Sequence, residues 1–309
     1  MRFKEFTNLS QGGLERAMSS GNNSLNRCDT VELRAITPDR LQDFCAMQEL
    51  EHLVWRMPHT LPLHQMETVA KNGGILVGAF SGSLMVGLLY SFPGYLNRQA
   101  YLCSHMLGIR EGWRHRGLGE KLKLVQADAA RTAGYSLVTW TFDPLESVNA
   151  KLNISKLGAV CSTYIVNCYG EMNDNLNQGL PSDRFQVAWW LEQPKELLLL
   201  PGRECQAITW QLCGKNLMEP IGEADLAAEF LDKAVRVTVA VPADIQEIKV
   251  QDIALAKTWR LVTRHAFVSL FDAGWTVVGF RRLPGVPANE YILARQEQLR
   301  LPQPPWKKD

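Results

Sequence analysis

The segment Ile109-Arg-Glu-Gly-Trp-Arg114-His-Arg-Gly117-Leu-Gly119 joins two stretches of different periodicity. Residues 101–109 before it read as a strand. After it, Leu118, Leu122, Val125, Ala129 and Ala133 recur at helical spacing, and Gly134 sits where a helix-ending glycine belongs. A glycine turn between strand and helix is an anion site. Gly117 and Gly119 carry no Cβ to hold a ligand off the backbone, and the first amides of the helix present unpaired N–H groups and a positive dipole end. A pyrophosphate fits there. A dinucleotide fingerprint would need a third glycine at position 122, which is Leu122, and the chain has no GxxxxGK[ST] phosphate loop.

Working outward, residues 31–36 alternate as a strand, and Thr37-Pro38-Asp39 is expected to open a helix reaching about Leu53, with Thr37 as its cap. Residues 64–71 read as a second helix, followed by a hairpin of residues 75–80 and 84–92 around Ser81-Gly82-Ser83. Beyond the glycine turn, residues 136–142 read as strand, 146–157 as a helix ending at Gly158, and 159–164 and 186–191 as strands. Residues 171–182, rich in Asn and Gly, read as a mobile loop and lid candidate, and 194–202 as a boundary. After it, 207–212, 235–241, 276–281 and 291–294 read as strands and 250–273 as one long helix. No repeat is visible in the sequence.

The pattern Arg114-x-x-Gly117-x-Gly119 between a fourth strand and a third helix resembles the signature of the GNAT superfamily of acyl-CoA-dependent N-acyltransferases. The resemblance covers residues 31–191, including Lys156-Leu157-Gly158, where family members usually carry Lys-x-Gly-Phe. More narrowly, Trp140–Glu146 with Asn149 and Tyr164–Gly170 resembles a subfamily of GNAT-like proteins with a C-terminal extension. It implies an α/β fold with a mixed central sheet flanked by helices. The fourth and fifth strands should splay apart to admit a pantetheine arm against the backbone of Leu107, Gly108 and Ile109. The turn from Arg114 through His115, Arg116, Gly117 and Leu118 to Gly119 would hold the pyrophosphate, with Arg116 or Lys121 near phosphate. Asn149 and Asn153, four apart, are expected to share a helix face toward cofactor or acceptor.

The co-substrate implied is acetyl-CoA or another acyl-CoA, and the acceptor a small-molecule amine. An acceptor ammonium must lose a proton before it attacks, and His105, on the fourth strand, is the candidate base. Many family members place a tyrosine four residues before the glycine of Lys-x-Gly-Phe to protonate the leaving thiolate; here that position is Ile154. Tyr164 and Tyr169 are the replacement candidates, unless the thiolate leaves unaided. Arg184, Arg260 and Arg264 are candidates to clamp a carboxylate on an amino-acid acceptor or on a succinyl donor. The missing tyrosine also leaves open a non-catalytic acyl-CoA-binding or interaction module.

The expected division is a polar leader over 1–30, a GNAT-like domain over 31–193, a smaller α+β domain over 203–300 that covers the acceptor site or builds a homodimer, and a loose tail over 301–309. Thirty-three Lys and Arg against 32 Asp and Glu leave a net charge of +1, so no global field draws nucleic acid or an anionic membrane. Residues 72–97 are uncharged and long enough to span a bilayer, but their three Gly-containing turns fit strands instead. Seven cysteines without a C-x-x-C pair suit a reducing, cytoplasmic setting. No HExxH, G-x-S-x-G or paired Cys/His spacing points to a metal site or a serine-hydrolase elbow.

Overall fold

The hairpin expected over residues 75–92 forms: β2 (Ile75–Ser81) turns through Gly82 and Ser83 into β3 (Leu84–Leu96), with Ser81 opposite Leu84. The computed structural model describes residues 30–56, 60–172, 178–193, 201–214, 217–222 and 234–307. The leader (up to residue 29), residues 173–177 of the expected loop and residues 194–200 of the expected boundary lie outside them.

Around the hairpin, the chain runs β1 (Glu32–Ala35), α1 (Leu41–Trp55), α2 (Leu63–Lys71), β2, β3, β4 (Gln99–Ile109), α3 (Leu118–Thr132) and β5 (Leu137–Phe142). One helical turn, α4 (Ser147–Ala150), continues as a π-helical stretch over Lys151–Lys156, followed by β6 (Val160–Ile165) and β7 (Arg184–Trp190). The second half is β8 (Glu204–Leu212), β9 (Met218–Ile221), β10 (Arg236–Pro242), α5 (Ile245–Gln251), α6 (Ile253–Asp272), β11 (Trp275–Arg282) and β12 (Ala288–Arg295). This is a mixed α/β architecture.

All twelve described strands form one sheet in the order β1-β2-β3-β4-β5-β7-β6-β11-β12-β10-β8-β9. Its two halves repeat. β4 and β5 are parallel, and β5–β7 and β6–β7 antiparallel; likewise β8 and β10 are parallel, and β10–β12 and β11–β12 antiparallel. The halves meet antiparallel at β6 and β11, where Cys161 faces Val277, so the order β4-β5-β7-β6 returns as β11-β12-β10-β8. The sequence hides this repeat because topology depends on where apolar faces and turns fall, not on residue identity. The largest apolar cluster draws on both halves, from Leu102, Val138 and Phe185 to Trp259, Phe267 and Tyr291. The ring of Phe185 meets Phe267 edge-on at 4.7 Å and Tyr291 at 5.4 Å.

Four local expectations are corrected. Thr37 does not cap α1: the Arg40 N–H donates to the Thr37 carbonyl, closing a turn with Pro38 inside it, and the helix starts at Leu41. The helix expected over 250–273 is broken at Asp252, whose extended backbone ends α5 and whose carboxylate accepts the Leu255 N–H to cap α6. β9 falls in a stretch with no strand expected. The tail is not loose through Trp306: its indole donates to Thr163 at 3.2 Å and meets Tyr101 edge-on at 5.9 Å, while the Pro305 carbonyl accepts from Asn97 at 2.8 Å. Trp306 has apolar surface to cover, and the face carrying Leu137, Val160 and Trp190 supplies the partner. Among the described residues no helix is long and apolar enough to cross a membrane.

Candidate active site

Strand β4 has β3 along its whole length on one edge, from Leu96–Gln99 to Gly87–Ile109. On the other edge it pairs with β5 only at Leu102–Val138 and Cys103–Thr139, although both strands run on, to Ile109 and Phe142. The two strands therefore diverge after one short ladder, and the β5-facing edge of Ser104–Ile109, including Leu107, Gly108 and Ile109, borders a wedge. A bulge between the Tyr90 and Ser91 registers places the additional residue at His105.

At the wide end lies the glycine turn. Gly117 takes φ +75°, a left-handed conformation natural to glycine, and starts α3 with no side chain capping it. Arg114, His115, Arg116 and Gly117 are exposed, His115 also at positive φ. The free helix start and three basic side chains thus face solvent together. The Arg114 guanidinium donates to the Ile109 carbonyl at 3.3 Å, and Arg116 stacks 4.8 Å over the Trp113 ring. Leu118 is buried, Lys121 exposed, and Glu120 in the first turn pairs with Lys156.

His105 is solvent-exposed at its edge but backed by Tyr90 and Phe92, with ring centroids at 6.3 and 5.8 Å. Partial burial lowers its pKa below the usual histidine value, so the imidazole is the neutral form at neutral pH. The Tyr169 hydroxyl, on an exposed side chain, hydrogen-bonds Thr141 of β5 at 2.7 Å. Thr141 alternates with Trp140, which packs toward α3, so Tyr169 and His105 lie on the same face of the sheet, away from α3. Tyr164 donates to Asp183 at 2.7 Å, and burial raises its pKa above the ordinary tyrosine value. Ile154 is core.

Asn149 and Asn153 do not share a face: Asn149 is exposed and Asn153 buried. The π-helical stretch from Lys151, with Leu157 N–H donating to the Leu152 carbonyl five residues back, changes the residues per turn, so spacing by four no longer aligns side chains. The three arginines belong to one network. Asp183, fully buried, accepts from Tyr164, from the Asn167 N–H at 3.0 Å, and from Arg264 Nε and Nη2 at 2.7 and 2.9 Å. Arg260, also fully buried, is paired with Asp143 at the end of β5, and Arg184 lies 3.7 Å from the same carboxylate. Arg260 is thus held inside the protein, and among the described residues its Nε and Nη1 have no hydrogen-bond partner. Arg264 alone of the three also lines a cavity of about 730 Å³, with Lys257, Glu171, Met172 and Leu180.

The buried face of α3 differs from the expected stripe. It comprises Leu118, Leu122, Lys123, Gln126, Ala127 and Ala130, rotated from Val125 and Ala129 and carrying two polar side chains. Lys123 bridges the diverging strands: Nζ is 2.9 Å from Ser104 Oγ on β4 and 3.5 Å from the Trp140 ring centre on β5. Desolvation pulls its pKa well below the ordinary lysine value, with Cys103 opposing. Sequence reasoning missed it because a lysine among helix positions normally points to solvent.

That burial has a consequence for stability. Because the folded-state pKa lies below the unfolded one, the unfolded chain holds the additional proton between them, and wild-type stability rises with pH across that window. Lys123→Met keeps length and a sulfur–aromatic contact with Trp140 while removing the desolvated amine. The variant is expected to be more stable than wild type near neutrality, with the advantage shrinking as pH climbs toward the unfolded lysine value of about 10.4. Urea midpoints of both proteins across this range check it; a constant difference would contradict it.

No family model matches the chain, and no curated protein matches it in sequence. Solved structures similar to it include the acetyltransferase of the GNAT family from Streptococcus pneumoniae, at 16% identity over 52% of this chain and 98% of that one, with a TM-score of 0.40. The ribosomal-protein-S18-alanine N-acetyltransferase from Escherichia coli aligns at 12% identity over 53% and 96%, with a TM-score of 0.42. An aminoglycoside 6'-acetyltransferase type Ii aligns at 14% identity over 53% and 99%, with a TM-score of 0.43. With its wedge between the fourth and fifth strands and the Arg114-x-x-Gly117-x-Gly119 turn at the mouth, the first half of the chain is GNAT-like in fold.

Proposed function

We propose that the protein is an acyl-CoA-dependent N-acyltransferase, acetyl by default and succinyl as an alternative donor, which moves the acyl group to the amine of a small molecule such as an amino acid. One observation carries this reading: an uncapped helix start with exposed Arg114, His115 and Arg116 opens directly onto a wedge with a free strand edge. The turn suits a pyrophosphate, and the edge at Leu107–Ile109 suits the amides of a pantetheine arm. Residues 31–193 would hold the donor, and residues 203–300 would brace the wedge through the Asp143–Arg260 pair.

The acceptor amine attacks the thioester directly in a ternary complex. His105, neutral through burial, takes the proton from the ammonium. Tyr169, exposed and held by Thr141, is better placed than Tyr164 to meet the leaving thiolate, because the Tyr164 hydroxyl is committed to buried Asp183. Arg264 would receive an acceptor carboxylate from the neighbouring cavity. The second reading, an acyl-CoA-binding module without turnover, is favoured by Ile154, 2% exposed where a tyrosine is usual.

Calorimetric titration with acetyl-CoA and free CoA, followed by a thiol-release screen of amino acids and polyamines, separates the readings. Binding with acceptor-dependent CoA release is expected. Binding without release for any acceptor would favour the module, and absence of binding would overturn both.

A further inference from the structure

Lys123 is an unusual occupant for the inner face of a helix. It is 3% exposed, and among the described residues no carboxylate forms an ion pair with it. A charged lysine taken out of water normally keeps a carboxylate partner. Here Nζ has the Ser104 hydroxyl at 2.9 Å and the Trp140 ring beneath it. Ser104 is itself 5% exposed and is the first residue of β4 beyond its last pair with β5. Among the described residues, a further buried polar group on the inner face of α3, the Gln126 amide one turn along from Lys123, has no hydrogen-bond partner. The polar cluster stands at the vertex of the wedge.

We propose that Ser104 and Lys123 form a nucleophile–base pair that takes an acyl group from a thioester or activated ester, giving the protein an acyl-serine state and acceptor-independent acyl-ester hydrolysis. The arrangement meets the geometric requirement for an activated hydroxyl: a base within hydrogen-bond reach and a third group, the Trp140 ring, fixing the base. Desolvation, which favours the free amine of Lys123, acts in the same direction.

Lys123 Nζ, as free amine, takes the Ser104 Oγ proton while Oγ bonds to the acyl carbon. The tetrahedral adduct collapses, the C–S bond breaks with its electron pair on sulfur, and the thiolate takes the proton back from the Lys123 ammonium. The products are O-acyl-Ser104 and free thiol. Water, deprotonated by Lys123, then releases the acid and restores the hydroxyl. With acyl-CoA as donor this rests on the reading above; with a small activated ester such as p-nitrophenyl acetate it needs only the pair.

The test therefore uses both donors, without acceptor, on the full-length protein. Intact-mass measurement and peptide mapping after p-nitrophenyl acetate are expected to show one acetyl group on Ser104, removed by neutral hydroxylamine, with steady nitrophenol release. Ser104→Ala and Lys123→Met should each lose at least 90% of adduct and release, whereas Ser104→Cys should retain an adduct as a thioester. Thermal melts identify any variant that fails to fold. Acetyl-CoA should label the same residue. Labelling by the ester but not by acetyl-CoA would support the pair and count against the acyl-CoA reading. Overturning the proposal would take no adduct from either donor, an adduct on Cys103, or a hydroxylamine-resistant amide on Lys123.

Discussion

Gly119→Val is expected to weaken acetyl-CoA binding by about 100-fold or more while leaving the melting temperature of the free protein nearly unchanged. A Cβ at this position would lie 3.6 Å from Leu107 on β4 and 3.7 Å from Leu152 beyond β5, both ordinary contacts. The fold therefore tolerates the side chain, and a β-branched residue in the first turn of α3 is no worse for the helix than glycine. The valine methyls, however, would fill the space between the two strands where the backbone must approach a diphosphate. Losing two charge-assisted hydrogen bonds at about 1.5 kcal/mol each corresponds to roughly 3 kcal/mol, or about two decades in affinity. Gly112→Ala is the control, since an added Cβ there meets nothing within 4 Å. Calorimetry on the three proteins decides it: unchanged affinity in folded Gly119→Val would remove the turn from the site.

Asp183→Ala should be the most damaging single change to stability, about 3–5 kcal/mol in urea unfolding, the range for breaking a buried pair by removing one partner. Its carboxylate is fully buried and accepts from Tyr164, the Asn167 N–H and both arms of the Arg264 fork. Alanine would leave the Tyr164 hydroxyl proton and the Asn167 N–H without their acceptor and release the clasp between the start of β7 and α6. Arg264→Ala should also be costly, because it leaves the fully buried Asp183 carboxylate with only two neutral donors, the Tyr164 hydroxyl and the Asn167 N–H. The double variant is expected to lose much less than the sum. A loss below about 1 kcal/mol for Asp183→Ala would show that water replaces the network at little cost.

How much was legible follows from the range over which each signal acts. The glycine turn, the helix after it and the hairpin at Gly82 depend on neighbours a few residues away, and spacing alone reports them. The break at Asp252 also has a local cause, the Asp side chain capping α6, yet the unbroken apolar spacing around it disguised the boundary. The π-helical turn at Lys151–Lys156 disguised the reverse, making Asn149 and Asn153 look like partners when one is exposed and the other buried. For the tail, composition suggested looseness, but Trp306 found Tyr101 and Thr163, more than a hundred residues distant.

By itself the sequence determined the α/β character and the strand–turn–helix segment around Arg114–Gly119, both properties of contiguous chain, whereas the strand edge at Leu107–Ile109 came only from the family resemblance. Only the tertiary structure decided that β6 joins β11 to make one twelve-stranded sheet, that Arg260 is buried against Asp143, and that Lys123 meets Ser104 and Trp140 at the vertex of the wedge. Those three outcomes are set by which side chains are excluded from water together. That exclusion depends on how distant segments pack, and no local pattern encodes it.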